Sequence, residues 1–296
     1  MIKEPVKRTS EIEEITNTYF FAPMSHFLVP IFAKLKFTPN MVSLMGMMSG
    51  VAAGLSYHYY QDYRYSLLGL FFMGLWHVFD GADGALARLT NSQSEFGKII
   101  DGACDYVVFI TVYVSLALAM MPEYGAQIWF VVVGAGLCHA VQSGAYELQR
   151  QEFDFWGYGK KSAELPELNE MKDRISAQSS GGKLGLLLGY YYAKMQYWAS
   201  GLDRQFRPTM RTLIDQADEE QAQKLRDDYR AEFAPRVRRW GIMCANYRTF
   251  AIFIACIIKE PIAYFLAEIV LLNILLILFV NKQQRANRAF LARYAD

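Results

Sequence analysis

The chain lacks an excess of charge of either sign. Its 296 residues include 30 Lys and Arg against 29 Asp and Glu, which gives a formal net charge of +1. Bulk electrostatics therefore gives no support for nucleic-acid binding. The first residues are charged, and no short apolar stretch with a small-residue cleavage site follows them, so we expect no cleavable signal peptide.

Cysteine is also sparse. The four cysteines stand singly in apolar segments and show neither metal-ligand nor redox spacing. We interpret them as small buried residues. They are Cys104, Cys138, Cys244 and Cys256.

Apolar residues, in contrast, make up 53% of the chain and form long runs between short charged stretches. A membrane-spanning helix needs about 20 mostly apolar residues. Six segments meet this requirement, and we expect the second to run on through the Asp-Gly-rich stretch that follows it. The segments are residues 41–59, 65–79, 99–121, 128–147, 240–258 and 262–280.

Two further segments complete the predicted fold. Residues 19–35 are apolar and aromatic, but Pro23 and Pro30 interrupt them, so we interpret them as a helix lying in the membrane interface, with an ordinary loop as the alternative. The block 150–239 is polar, and its part 215–232 is charged and free of Gly and Pro, which predicts a helix.

The predicted fold class is therefore an all-α integral membrane protein. Six transmembrane helices follow an interfacial amphipathic helix, and a cytoplasmic helical insertion separates spans four and five. The predicted segments are 1–40 (N-terminus and interfacial helix), 41–150 (spans one to four), 151–239 (insertion) and 240–296 (last two spans and tail).

Lysine and arginine predict the orientation, because cytoplasmic loops of membrane proteins are enriched in them. The connections 59–65 and 259–261 contain one each, Arg64 and Lys259, and 121–127 contains none. The other side has many more, in the 88–98 connection, the 150–239 block and the tail. It also has Lys3, Lys7 and Arg8. We expect both termini to be cytoplasmic, in the plasma (inner) membrane if the source is bacterial.

Four carboxylates lie at or inside the predicted membrane boundary. Each costs about 2.5–3.5 kcal/mol at mid-bilayer, so they need a counter-charge. Helical spacing puts one set of residues on one face of the second helix and another set on one face of the third. The sets are Asp80, Asp83, Gly84 and Ala87, and then Gly97, Asp101 and Asp105. If the faces meet, the carboxylates converge, and divalent cations with oxygen ligands are the natural counter-charge. The small residues leave room for a phosphate-bearing ligand, and two such metals can grip a pyrophosphate.

These residues match the spacing D-x2-D-G-x2-A-R-x8-G-x3-D-x3-D, and the chain thereby resembles the CDP-alcohol phosphotransferase family. Residues 38–43 are similar to the Pro-Asn-x-hydroxyl stretch that opens the family's first span. The resemblance covers about residues 16–150 and, loosely, the last two spans.

The resemblance implies metal-dependent transfer of a phosphoryl-linked group from a CDP-linked donor to an alcohol in the membrane, with release of CMP. It implies two divalent ions, Mg²⁺ or Mn²⁺, on Asp80, Asp83, Asp101 and Asp105. Asp101 and Asp105 would be catalytic, with Asp105 as the general base. The nucleotide site would include Asn40, Ser43, Asp80, Gly84, Ala87, Arg88, Ser94 and Gly97. Many family members are dimers, so we also expect a homodimer.

Structural interpretations stand beside these roles. Arg88 at a helix end is able to snorkel, Ser43 and Ser94 are compatible with ordinary helix or turn hydroxyls, and Gly84 and Gly97 with helix packing alone.

A polar stripe on the fourth span and Arg248 in the fifth suggest where the acceptor binds. The candidates are His139, Gln142, Arg150 and Arg248. Arg248 would bind a phosphorylated alcohol, with CDP-diacylglycerol as donor; alternatively, it pairs with Glu268 and only stabilises the bundle. Headgroup transfer to diacylglycerol or ceramide is the alternative reaction. A cation transporter or channel with an Asp site is the alternative class, against which the fixed Asp-Gly-x2-Ala-Arg order argues.

The orientation is testable with single cysteines that react with a membrane-impermeant reagent. Labels near residues 62, 124 and 260 should react from outside, and those near 93 and 200 only after permeabilisation. External reaction at 93 would place the Asp-rich motif on the wrong side of the membrane.

Overall fold

The computed structural model describes residues 9–178, 183–202 and 205–294. Within these ranges the regular structure is helical and contains no strand, which confirms the all-α class. The helices are α1 (Ala22–Lys34), α2 (Pro39–Tyr57), α3 (Tyr63–Leu89), α4 (Glu95–Tyr124), α5 (Ile128–Tyr158), α6 (Leu168–Ala177), α7 (Lys183–Ala199), α8 (Phe206–Gln216), α9 (Glu219–Trp240), α10 (Ala245–Ile257), α11 (Pro261–Ile269) and α12 (Leu271–Ala292). The basic residues Lys3, Lys7 and Arg8 of the orientation prediction lie outside the described residues.

The helices follow the predicted apolar segments. Helices α2 to α5 correspond to the first four, and α3 continues through the Asp-Gly-rich stretch to Leu89. The segment 240–258 becomes a 3₁₀ turn, Gly241–Met243, followed by α10. The segment 262–280 is divided at Val270 between α11 and α12.

Four helical stretches of the described chain are long and apolar enough to cross a membrane. They are Ile100–Tyr124, Ile128–Tyr158, Glu219–Ile257 and Pro261–Ala292. Helices α2 and α3 are not among them, because glycine, serine and Asp side chains take the place of larger apolar ones there. The helices thus indicate a multi-pass membrane protein, and the count of six spans stays a prediction.

Helix α1 replaces the loop considered for the N-terminal segment. A π-helical turn, Asn17–Phe21, leads into it, and Pro23 stands in its first turn, where the missing N–H costs nothing. One face buries Phe21, Val29 and Phe32, whereas Phe27 is exposed. The helix is found, but its location in the membrane interface stays a prediction.

The insertion is helical, as expected, and the segment 215–232 is helical except for a break at Ala217 and Asp218. Helix α8 ends at Gln216 and α9 begins at Glu219. Between them, Asp218 accepts a hydrogen bond from the backbone N–H of Gln221 (2.8 Å), and the Gln221 side chain accepts one from the backbone N–H of Asp218 (3.3 Å). This capping box starts a new helix where the charge pattern alone showed a continuous one.

The chain forms two compact units. The first contains the described residues up to Cys138 together with Ala245–Val270, and the second contains His139–Cys244 and the described residues from Leu271 onward. Tyr57, Met73 and Phe265 are fully buried in the first unit. In the second, the stacked rings of Tyr229 and Phe233 lie 4.4 Å apart. The predicted four-segment organisation stays a prediction.

The cysteines follow the expectation of free, apolar-segment thiols. Cys104, Cys244 and Cys256 are free and buried, and Cys138 is free and partly buried.

Helix α2 packs closely against both helices that carry the Asp residues. A Cβ at Gly46 would lie 3.3 Å from Phe79 on α3, and a Cβ at Gly50 would overlap Val108 on α4. Small residues let helices in a membrane bundle approach to such distances. Helix α2 thereby fixes the positions of α3 and α4, on which the site depends.

This packing gives a testable prediction. Gly50→Ala should destabilise the protein by about 1–3 kcal/mol, because its methyl group overlaps the stiff Val108 side chain. Gly74→Ala on α3 is the matched control, since nothing lies within 4 Å of its Cβ. Thermal unfolding in detergent should show a lower Tm for the first variant only. Equal Tm values would contradict the packing account.

Candidate active site

Three carboxylates converge between α3 and α4. Asp80 on α3 and Asp101 and Asp105 on α4 each offer one oxygen, and these oxygens lie within 4.8 Å of one another. All three side chains are partly buried. The spacing of four between Asp101 and Asp105 puts both on the face of α4 that meets α3.

Asp83 follows Asp80 by about one turn and is buried. Its Oδ2 accepts a hydrogen bond of 2.5 Å from the Ser43 hydroxyl of α2. Asp83 is outside the group of three converging oxygens, although it lines the same cavity. Ser43, predicted to contact the nucleotide, thus contacts an Asp of the motif here.

Trp76 is a site residue that the sequence interpretation missed. Its indole N–H donates to Oδ1 of Asp105 over 3.2 Å, and its ring packs edge-on against Phe109. Trp76 precedes Asp80 by four residues, so helical periodicity places it on the same face. That periodicity was the available signal.

A small, partly open cavity lies between these side chains. Its lining consists of Ser43, Gly46, Trp76, Asp80, Asp83, Asp101, Cys104 and Asp105. Gly46 and Cys104 were not predicted as site residues. Gly46 lies one turn after Ser43, and Cys104 directly precedes Asp105.

The donor set fits a hard divalent cation. Its converging atoms are all carboxylate oxygens, the ligand type that Mg²⁺ and Mn²⁺ prefer. Like charges at these separations repel one another strongly in an apolar environment, and a bound cation would compensate for that repulsion. Asp80, Asp101 and Asp105 would hold it, with Asp83 in the same cavity.

Other predicted nucleotide-site residues form two groups. At the start of α4, the Ser94 hydroxyl accepts from the backbone N–H of Gly97 (2.9 Å), and Asn40 Oδ1 lies 3.6 Å from where a Gly97 Cβ would be. On α3, Nη1 of Arg88 lies 3.4 Å from where a Gly84 Cβ would be. Ala87 is partly buried on the same helix.

Ser94 therefore caps α4, which is the structural interpretation considered for it. The nucleotide contacts of both groups stay predictions.

Three predicted acceptor residues belong to the second unit. Gln142 donates to Asn273 (3.0 Å), and Arg150 donates twice to Glu147 (2.9 and 3.0 Å). The backbone carbonyl of His139 accepts from Ser143 (2.7 Å). The first contact joins α5 to α12 and the other two lie within α5. Acceptor binding by these residues stays a prediction.

Arg248 lies in the first unit and forms an ion pair with Glu268. Its Nε and Nη2 donate to the carboxylate over 2.9–3.3 Å, and the two side chains are only 2% and 0% exposed. The sequence left two partners open for Arg248, a phosphorylated alcohol and Glu268. In the structure its partner is Glu268. An anionic acceptor is therefore not needed to explain a buried cation here.

The comparison with known proteins agrees with this geometry. Residues 36–158, which include α2, α3 and α4, match the CDP-alcohol phosphatidyltransferase family. The match covers less than half of the chain, and over these residues the chain is similar to that family. Members of this family are transferases, and the resemblance inferred from the motif is confirmed.

Individual relatives come from two kinds of enzyme. Choline/ethanolaminephosphotransferase 1 of Arabidopsis thaliana is 30% identical over 129 residues, which cover 40% of this chain and 31% of that protein. Choline/ethanolaminephosphotransferase 2 of the same plant is similar over 131 residues, also at 30% identity, covering 40% and 31% of the two chains. Phosphatidylinositol phosphate synthase of Mycobacteroides abscessus is 29% identical over 96 residues, covering 32% of this chain and 42% of that protein. The matched region thus spans less than half of each relative.

The Ser43 hydrogen bond gives a second prediction. Ser43→Ala removes the donor to Asp83, and loss of such a supporting contact typically lowers metal affinity about 10–100-fold. Ser49→Ala on the same helix is the matched control, because its hydroxyl bonds only the Met45 carbonyl. Titration of Mn²⁺ into each purified protein measures the difference. The same affinity for both variants would show that Ser43 does not support the site.

Proposed function

We propose that this protein transfers a phosphoryl-linked group from a CDP-linked donor to an alcohol and releases CMP, in phospholipid biosynthesis. The observation that carries the proposal is the convergence of the Asp80, Asp101 and Asp105 oxygens within 4.8 Å, inside the matched family domain. A cation pathway would not require these acids to share a fixed pattern with Gly84, Ala87 and Arg88.

Each acid has a role in the proposal. Two divalent cations, Mg²⁺ or Mn²⁺, would supply positive charge that binds the diphosphate and stabilises the departing CMP. Asp80, Asp83, Asp101 and Asp105 would hold these cations, and Ser43 donates a hydrogen bond that orients Asp83.

The proton of the acceptor alcohol goes to the Asp105 carboxylate. The new bond joins the acceptor oxygen to phosphorus, and the bond between phosphorus and the CMP oxygen breaks. Trp76 holds Asp105 in a fixed rotamer through its indole N–H, which limits where the base can reach. Asn40, Ser94, Gly97 and Arg88 line the approach of the nucleotide in this proposal.

Neither the relatives nor Arg248 selects one class of acceptor. The relatives are named for choline or ethanolamine transfer and for phosphatidylinositol phosphate synthesis. The argument for a phosphorylated acceptor rested on Arg248, whose charge Glu268 neutralises. The proposal therefore specifies the reaction, cleavage of the bond between phosphorus and the CMP oxygen, and not the acceptor. The assay below distinguishes CDP-diacylglycerol from a CDP-linked headgroup as donor.

The proposed setting is a membrane with the site on the cytoplasmic side. Four apolar helical stretches support a multi-pass protein. Six spans, cytoplasmic termini and an interfacial α1 complete the proposal. Exposed Phe27 on α1, and exposed Tyr19 and Leu35 at its two ends, support its contact with lipid. A homodimer is also proposed, by analogy with family members.

A CMP-release assay tests the function. Purified protein with Mg²⁺ or Mn²⁺ should release CMP from CDP-diacylglycerol with a polar alcohol, or from a CDP-linked headgroup with diacylglycerol. Asp105→Asn should abolish release while CMP binding largely remains, because the base is lost but the other cation ligands stay. Asp80→Asn should lose both.

Asp62→Asn is the control. Asp62 is the N-cap of α3, the helix that carries Asp80, and it lies in a connection outside the cavity. An asparagine there is able to keep the cap. Full turnover by Asp105→Asn would remove the assignment of the base. Absence of CMP release with both donor classes and both metals would contradict the proposed reaction.

A further inference from the structure

Helix α7 of the insertion has one buried and one exposed face. Tyr190, Ala193 and Ala199 are buried. The other face is apolar and aromatic but exposed: Leu188 is 62%, Tyr191 61% and Trp198 78% accessible. A contiguous surface of this kind indicates a partner or a membrane rather than water.

The predicted membrane spans do not account for this surface. Exposed apolar residues are expected on helices that cross a bilayer, but α7 is not one of the four described stretches that are long and apolar enough. An exposed tryptophan on a 17-residue helix needs another explanation.

The position of α7 within the second unit supplies one. Its Gln196 donates to the carbonyl of Gly144 on α5 (3.3 Å), and Gln149 on α5 donates to the carbonyl of Ser200, directly after α7 (3.3 Å). Gln284 on α12 donates to the carbonyl of Gly201 (2.9 Å). Helix α7 thus contacts α5, and the residues directly after it contact α5 and α12, which belong to two of the four apolar stretches.

The contacts lie where both stretches change from apolar to charged sequence. On α5, Gly144 and Gln149 flank Glu147 and precede Arg150. On α12, Gln284 lies four residues after Val280, where the apolar run ends, and two residues after Lys282. Such transitions mark the level at which a spanning helix leaves the hydrocarbon for the headgroups.

The side chains of the exposed face suit that level. Tryptophan and tyrosine are enriched at membrane–water interfaces, because their rings have an apolar body and a polar edge. Lys194 is also exposed on α7, and a lysine stem can lie along lipid while its ammonium reaches water. In the same unit, Lys282, Arg285 and Arg288 are exposed at a spacing of three residues on α12. These cations complement an anionic leaflet.

We propose that α7 is an interfacial helix that lies in the headgroup region of an anionic phospholipid bilayer, with Leu188, Tyr191 and Trp198 facing the lipid. The insertion is then a second membrane-contacting element of the chain, separate from α1. Its contact with lipid is independent of the transfer reaction.

Tryptophan fluorescence of the full-length protein tests this proposal. The protein is reconstituted in phosphatidylcholine–phosphatidylglycerol vesicles with or without lipids brominated near the headgroup end of their chains. The emission of Trp198 is the difference between the wild type and Trp198→Phe. Brominated lipid should quench this emission more strongly than that of Trp156, obtained in the same way from Trp156→Phe. Trp156 is the matched control, because it is 1% exposed in the core of the same unit.

Two outcomes would overturn the proposal. Quenching of Trp198 by aqueous iodide but not by brominated lipid would place α7 in water. Protection from both quenchers would mean that protein, such as a second copy of the chain, covers this face. Tyr191→Trp in the Trp198→Phe background provides a second reporter on the same face, so the test does not depend on one variant.

Discussion

Repulsion between carboxylates dominates the electrostatics of the candidate site. Asp80, Asp101 and Asp105 direct oxygens to within 4.8 Å of one another inside a bundle of largely apolar helices. An ionised carboxylate is costly in such surroundings, and three together are costlier still. A bound cation would neutralise this arrangement, so the proposed cofactor would offset a cost that the fold carries.

The neighbouring helices help to hold the acids in place. The glycines of α2 allow α3 and α4 to pack closely against it, and Ser43 on α2 donates to Asp83. From α3, Trp76 donates to Asp105 on α4 and so connects the two helices that carry the acids. Elsewhere in the first unit, Arg248 and Glu268 form a buried ion pair, so each neutralises the charge of the other.

Much of this arrangement was predictable from sequence, because helical periodicity is a local property. The continuation of α3 through Asp80 and Asp83 and the shared faces of the acids follow from spacings of three and four. What periodicity could not supply was the partner of each side chain across helices. The donor to Asp83 is 40 residues away in sequence, and both partners considered for Arg248 satisfied the same rule about buried charge. The sequence did not predict the break between α8 and α9 for another reason. An Asp such as Asp218 is as compatible with a charged helix surface as with an N-cap.

The most direct test of the central claim is the location of Mn²⁺ in the protein by anomalous X-ray scattering, with crystals grown in the presence of Mn²⁺ and CMP. The account predicts a peak within coordination distance of Asp80, Asp101 and Asp105, and loss of that peak in the Asp101→Asn protein. Manganese bound elsewhere, or the same peak in the variant, would contradict the claim that these carboxylates form the metal-dependent centre.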